Sequence, residues 1–86
     1  MGLARTPECE LIDARLRQMY PSGGIQLDTQ KDTYSEDYVV WVTAGDNVQP
    51  IRITIDEYAG GDWVENMRRA IDLLAAQADL SVEAEG

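Results

Sequence analysis

The sequence predicts an α+β fold of order helix, strand, strand, strand, helix, in which a three-stranded antiparallel sheet carries both helices on one face. Three observations carry that reading. Apolar residues recur at three- and four-residue spacing near both ends of the chain and at every second position in its middle. The length of 86 residues holds one core and no more, so residues 1–86 are read as a single domain. Apolar residues make up 44% and charged residues 27%, a globular balance rather than a disordered one.

The first helix is predicted from about residue 7 to 20. Thr6 is the N-cap candidate, Pro7 stands at the first helical position where its missing N–H costs nothing, and Glu8 and Glu10 complement the helix dipole. Cys9, Ile12, Leu16 and Met19 form its apolar stripe, and Pro21-Ser22-Gly23-Gly24 ends it. Ile25, Leu27 and Thr29 alternate with Gln26 and Asp28 as a half-buried strand, and the polar run from Gln30 to Asp37 reads as a loop or a ragged continuation. Tyr38 to Thr43 is the strongest β segment. After turn chemistry at Ala44-Gly45-Asp46-Asn47, Ile51, Ile53 and Ile55 alternate with Arg52, Thr54 and Asp56. Pro50 assigns that strand to an edge or a bulge. The last helix follows Gly60-Gly61, with Asp62 as N-cap, Glu65 completing a capping box, and Val64, Met67, Ile71, Leu74 and Ala78 as its stripe. Residues 1–5 and 80–86 are expected to be flexible ends.

Hairpin arithmetic decides which side chains the sheet leaves uncovered. A loop of two or four residues sets Ile51, Ile53 and Ile55 opposite Tyr38, Val40 and Val42, on the core face. Val39, Trp41 and Thr43 then point the other way, beside Gln26, Asp28, Pro50, Arg52, Thr54 and Asp56. A three-residue loop would bury Trp41 instead. Two-residue loops are the commoner choice, so Trp41 is expected on the open face, where a tryptophan among acids resembles a binding surface.

Sixteen acids against seven bases, with no histidine, give a net charge of -9. The excess is uneven: residues 1–27 are neutral, whereas residues 28–62 hold eight acids and two bases, a net of -6. The element order is similar to that of double-stranded-RNA-binding domains, but such domains put basic residues at the start of the second helix, where this chain has Gly60-Gly61-Asp62. The electrostatics oppose direct nucleic-acid binding and anionic membranes alike.

The parts of an enzyme are missing. No histidine can act as base, Lys31 is the only lysine, and Cys9, the only cysteine, falls on an apolar stripe and reads as a structural thiol. Metal binding lacks a His or Cys cluster, and Asp28, Asp32, Glu36 and Asp37 lack the spacing of an EF-hand loop. The glycine pairs make no phosphate-binding pattern, so no cofactor is expected. Met1-Gly2-Leu3-Ala4-Arg5-Thr6 fits the permissive myristoylation template, with Thr6 read more simply as a cap. No apolar run approaches a membrane span or a signal peptide, and the lone cysteine suits a reducing compartment, so a cytoplasmic location is expected.

What remains is a small acidic, non-enzymatic protein-binding module. Its expected partner surface is Asp28, Asp32, Glu36, Asp37, Val39, Trp41, Arg52, Asp56 and Glu57, facing a protein with a basic surface. The sharper version is an inhibitor that blocks the basic groove of a nucleic-acid-handling complex, possible mimicry included; in size and charge the chain resembles phage-encoded inhibitors of CRISPR or restriction systems, in bulk properties only. The competing expectation is a self-associating accessory protein, a homodimer through the Trp41 face or the Pro50 edge. Lysine at Asp28, Asp32, Glu36, Asp37, Asp56 and Glu57 is expected to abolish partner binding and leave folding intact.

Overall fold

The structure, a computed structural model, describes residues 2–21 and 24–78. The elements run β1 (Leu3–Ala4), α1 (Pro7–Met19), β2 (Ile25–Asp32), β3 (Tyr38–Ala44), β4 (Asn47–Ile53), α2 (Ile55–Gly60) and α3 (Trp63–Gln77). The strands form one antiparallel sheet in the order β1-β2-β3-β4. The mixed α+β class with an antiparallel sheet is as the sequence reads. The sheet, however, has four strands rather than three, and a further short helix precedes the last one.

Both additions have local causes. Leu3 and Ala4 fall within residues 1–5, the stretch expected to be a flexible end. They become a strand by pairing with Asp32 and Lys31, and Thr33 closes the pairing by donating N–H to Gly2 O at 2.7 Å. Ile55, expected to continue the alternation of the third strand, opens α2 and is 42% exposed. Thr54-Ile55-Asp56-Glu57 is a complete capping box: Glu57 N–H donates to Thr54 Oγ1 at 3.1 Å, and the Glu57 carboxylate accepts from Thr54 N–H at 3.4 Å. Two donors satisfied at once stop the strand there. The box expected at Asp62 and Glu65 does not form, because Asp62 already has right-handed helical dihedrals and makes no side-chain cap bond. Thr6 likewise caps α1 with its backbone alone, Cys9 N–H donating to Thr6 O at 3.0 Å. The expected tail 80–86 and the Ser22-Gly23 part of the first turn lie outside the described residues.

The β3–β4 loop is Gly45-Asp46, two residues, with Gly45 at φ +63, the glycine-first pattern of a type II′ hairpin turn. It pairs Tyr38 with Ile53, Val40 with Ile51 and Trp41 with Pro50. Ile12 and Leu16 of α1, Met67 and Ile71 of α3, and Val40, Val42 and Ile53 of the sheet are fully buried in one core. Trp63, absent from the expected stripe, is also buried, its ring 5.7 Å from Tyr58, which lies 4.9 Å from Tyr38. Tyr20 joins the end of α1 to α3 by donating to Asp72 Oδ1 at 2.7 Å; burial, with that carboxylate adding, pushes its phenol pKa well above the usual value.

One charged side chain sits inside this core. Asp13 of α1 is fully buried, and both its oxygens are taken: Arg5 Nη2 donates to Oδ2 at 2.6 Å, and Thr29 Oγ1 donates to Oδ1 at 2.5 Å. Arg5 also donates to Thr29 O at 2.8 Å and Asp28 Oδ1 at 2.9 Å, so one guanidinium ties the chain after β1 to α1 and β2. Sequence periodicity placed Asp13 on no face. Asp13→Ala, which leaves the Thr29 hydroxyl and part of the Arg5 charge without a partner, is expected to cost about 2–4 kcal/mol in urea unfolding, and Asp13→Asn less. A loss under about 0.5 kcal/mol for Asp13→Ala would refute this role.

Candidate functional site

The face of the sheet turned away from the helices is built in three cross-strand rows. Gln30, Val39 and Arg52 form the first, Asp28, Trp41 and Pro50 the second, and Gln26, Thr43 and Val48 the third. The alternation that buries Tyr38, Val40 and Val42 puts Val39, Trp41 and Thr43 here. Trp41 is half-buried, with its indole Nε1–H donating to Gln30 Oε1 at 2.9 Å. That bond orients the ring, which stays partly exposed. Val39 is 6% exposed, whereas Val48 is 60% exposed, and Leu3 at the far edge is 40% exposed.

The acids expected to surround Trp41 are not a free negative field. Asp28 is bound by Arg5. Arg52 Nη1 lies 3.2 Å from Asp32 Oδ2 and 3.3 Å from Asp37 Oδ2, and it also donates to Ser35 Oγ at 3.2 Å. The loop between β2 and β3 is folded around this guanidinium. Asp32 Oδ1 accepts the N–H groups of Tyr34 and Ser35 at 2.9 and 3.4 Å, an Asx turn, and Asp37 Oδ1 accepts Ile55 N–H at 3.1 Å at the start of α2. Glu36 turns the chain with φ +64. Glu57 is engaged in the capping box and accepts from Asn66 Nδ2 at 2.7 Å. Of the six acids assigned to partner contact, Glu36 and Asp56 make no ion pair or side-chain hydrogen bond among the described residues. The structure therefore brings Asp28, Trp41 and Arg52 onto one face, where Val39 is buried among its neighbours and offers no contact surface, with Asp32, Glu36 and Asp37 at the loop beside it, and puts Asp56 and Glu57 on α2.

Lysine at all six acids is accordingly not neutral for folding. Three of the positions hold Arg5 or Arg52, and a fourth caps α2. Among the described residues no group of three or more acidic or cysteine side chains is placed to hold a metal ion, and no helix is long and apolar enough to cross a membrane. Comparison with protein-family models, with curated proteins and with solved structures gave no match.

The pairing of Asp28 with Arg5, and of Asp32 and Asp37 with Arg52, has no signal in residue spacing. Arg52 stands opposite Val39 across the β3–β4 ladder, which carries its long side chain to the β2–β3 loop. Its bonds have a pH signature. The Tyr34 N–H, with Arg52 and Ser35 adding, holds the Asp32 carboxyl below the usual carboxylate range, and Asn66 and Thr54 do the same for Glu57. A lowered pKa in the fold contributes stability that is complete above the unfolded value and lost as pH falls through the folded one. The thermal midpoint is expected to drop as pH falls below about 4, and the drop is expected to be shallower in an Asp32→Asn, Glu57→Gln double variant. Parallel pH profiles for the two proteins would contradict it.

Proposed function

We propose that the protein is a non-enzymatic binding module that docks another protein on its open sheet face, with Trp41 as the anchor. The reading rests on one observation: a large, partly exposed aromatic ring, oriented by its bond to Gln30, lies on the sheet face turned away from the helices. Tryptophan contributes more binding energy per residue than most side chains when a partner completes its burial. Pro50 and Val48 extend the apolar surface to one side, and Asp28 and the Arg52 loop rim it on the other.

The partner this surface fits is a protein with an apolar pocket bordered by basic residues. Net charge of -9 steers such a partner at long range, while the acids already held by Arg5 and Arg52 contribute less at contact. A groove that binds nucleic acid has that basic border, and blocking one is the sharper form of the proposal.

The deciding experiment compares the wild-type protein with Trp41→Arg, both shown by urea unfolding to be folded. The wild type is expected to be monomeric by light scattering at low and high salt, and to retain a partner from the source cell that Trp41→Arg fails to retain. Salt of about 0.5 M, where screening lengths fall to a few ångströms, is expected to weaken retention. A wild-type dimer dissociated by Trp41→Arg would make self-association the function of this face. Equal retention by both proteins would remove Trp41 from the site.

A further inference from the structure

A second surface is the outer edge of β2, the strand beside the one that bears Trp41. Pro50 fixes the phase of hydrogen bonding across the sheet. It has no N–H, and a two-residue loop makes Ala44 and Asn47 a hydrogen-bonded pair, so Pro50 falls at a position whose main chain points away from β3. Carrying the alternation through β3 to β2, Gln26, Asp28 and Gln30 face β3, and Ile25, Leu27, Thr29 and Lys31 turn their main-chain groups outward.

These outward groups are not treated alike. Lys31 is covered by Ala4 of β1. The Thr29 carbonyl accepts from Arg5 Nη1 at 2.8 Å, and Arg5 is itself locked by Asp13 and Asp28. Leu27 O accepts only a long bond, 3.4 Å, from Arg17 Nη2. β1 ends before it reaches this stretch, so among the described residues no strand lies beside Ile25–Leu27. A groove of about 440 Å³ runs there instead, lined by Arg17, Tyr20, Pro21 and the edge itself. Arg17 forms no ion pair among the described residues of a protein with sixteen acids.

We infer that this edge is a strand-addition site for an extended peptide carrying a carboxylate side chain. The peptide pairs its main chain with Ile25 and Leu27 and displaces Arg17 from the Leu27 carbonyl. The released guanidinium takes the carboxylate, a stronger partner than the long bond it leaves. At about 3.3 Å per residue, the open stretch registers with roughly three residues of peptide, and the groove holds a side chain projecting toward Tyr20 and Pro21. Arg17 reaches the edge from α1, so the carboxylate is taken on the helix side of the sheet, opposite the face that bears Trp41.

The test is a fluorescence-anisotropy titration with a labelled eight-residue peptide of valine and threonine bearing one central glutamate. The same peptide with lysine for the glutamate, and one N-methylated along one edge, serve as controls. The glutamate peptide is expected to bind wild type at least about tenfold more tightly than either control, and Arg17→Ala is expected to remove that preference. Trp41→Arg is expected to leave it unchanged, which separates failure here from failure of the proposed function. Amide shifts at Ile25 and Leu27 locate the peptide. Binding equal in wild type and Arg17→Ala, or shifts centred on Trp41, would overturn the inference. So would a concentration-dependent dimer lost in Arg17→Ala, since the occupant would then be a second copy of the chain.

Discussion

The ion pair between Arg5 and the buried Asp13 organises the amino-terminal half of the molecule. A carboxylate taken out of water is tolerable only if its charge and both oxygens are answered, and Asp13 achieves this with Arg5 and Thr29. The three residues come from three parts of the chain: the segment after β1, helix α1, and strand β2. Satisfying Asp13 therefore sets where β1 enters the sheet and how α1 lies on β2. The same guanidinium reaches Thr29 O and Asp28, so the ion pair also closes part of a strand edge. A well-packed apolar substitute for the pair could equal it in stability, but it would not close that edge.

Sheet edges are the recurring problem of a small open sheet, and each is handled differently here. β4 carries Pro50 at an outward-facing position, where it costs the ladder no bond and denies an incoming strand a donor. β2 is covered at one end by a strand of two residues and then by an arginine. The remaining stretch, Ile25–Leu27, has only the loosely held Arg17. A gradient from firm to loose closure along one strand is what distinguishes a guarded edge from one open to exchange.

The charge of the molecule looks different once its bonds are counted against it. Net charge is a property of composition and acts at long range. Local charge depends on which acids have partners, and Asp28, Asp32 and Asp37 all have arginines. The loop after β2 folds inward on Arg52, and Asp37 goes on to hold the start of α2. What reads in the sequence as an acidic surface is in large part the internal wiring of the loop. The sheet face turned away from the helices keeps its tryptophan, with fewer unpaired carboxylates near it than the composition suggests.

Much of this was legible in the residues alone. The two long helices, the three long strands and the two-residue turn follow from local periodicity and from Gly45, because hydrophobic spacing and turn chemistry act over a few residues. The side of β3 that bears Trp41 follows from the same turn. The capping box at Thr54 and Glu57 is written in the sequence as plainly as the one read at Asp62; the first opens α2, and the helical dihedrals of Asp62 keep the second from forming at α3. Other features had no local signal. Leu3 and Ala4 become a strand only because Lys31 and Asp32 offer an edge, and Asp13 becomes a core residue only because Arg5 and Thr29 arrive to meet it. Hydrogen bonds and ion pairs between residues far apart in the chain are made by whichever groups the fold brings within about 3 Å, and no spacing rule records them. Composition thus determined the sign of the protein's charge, and tertiary structure decided which of those charges remain unpaired.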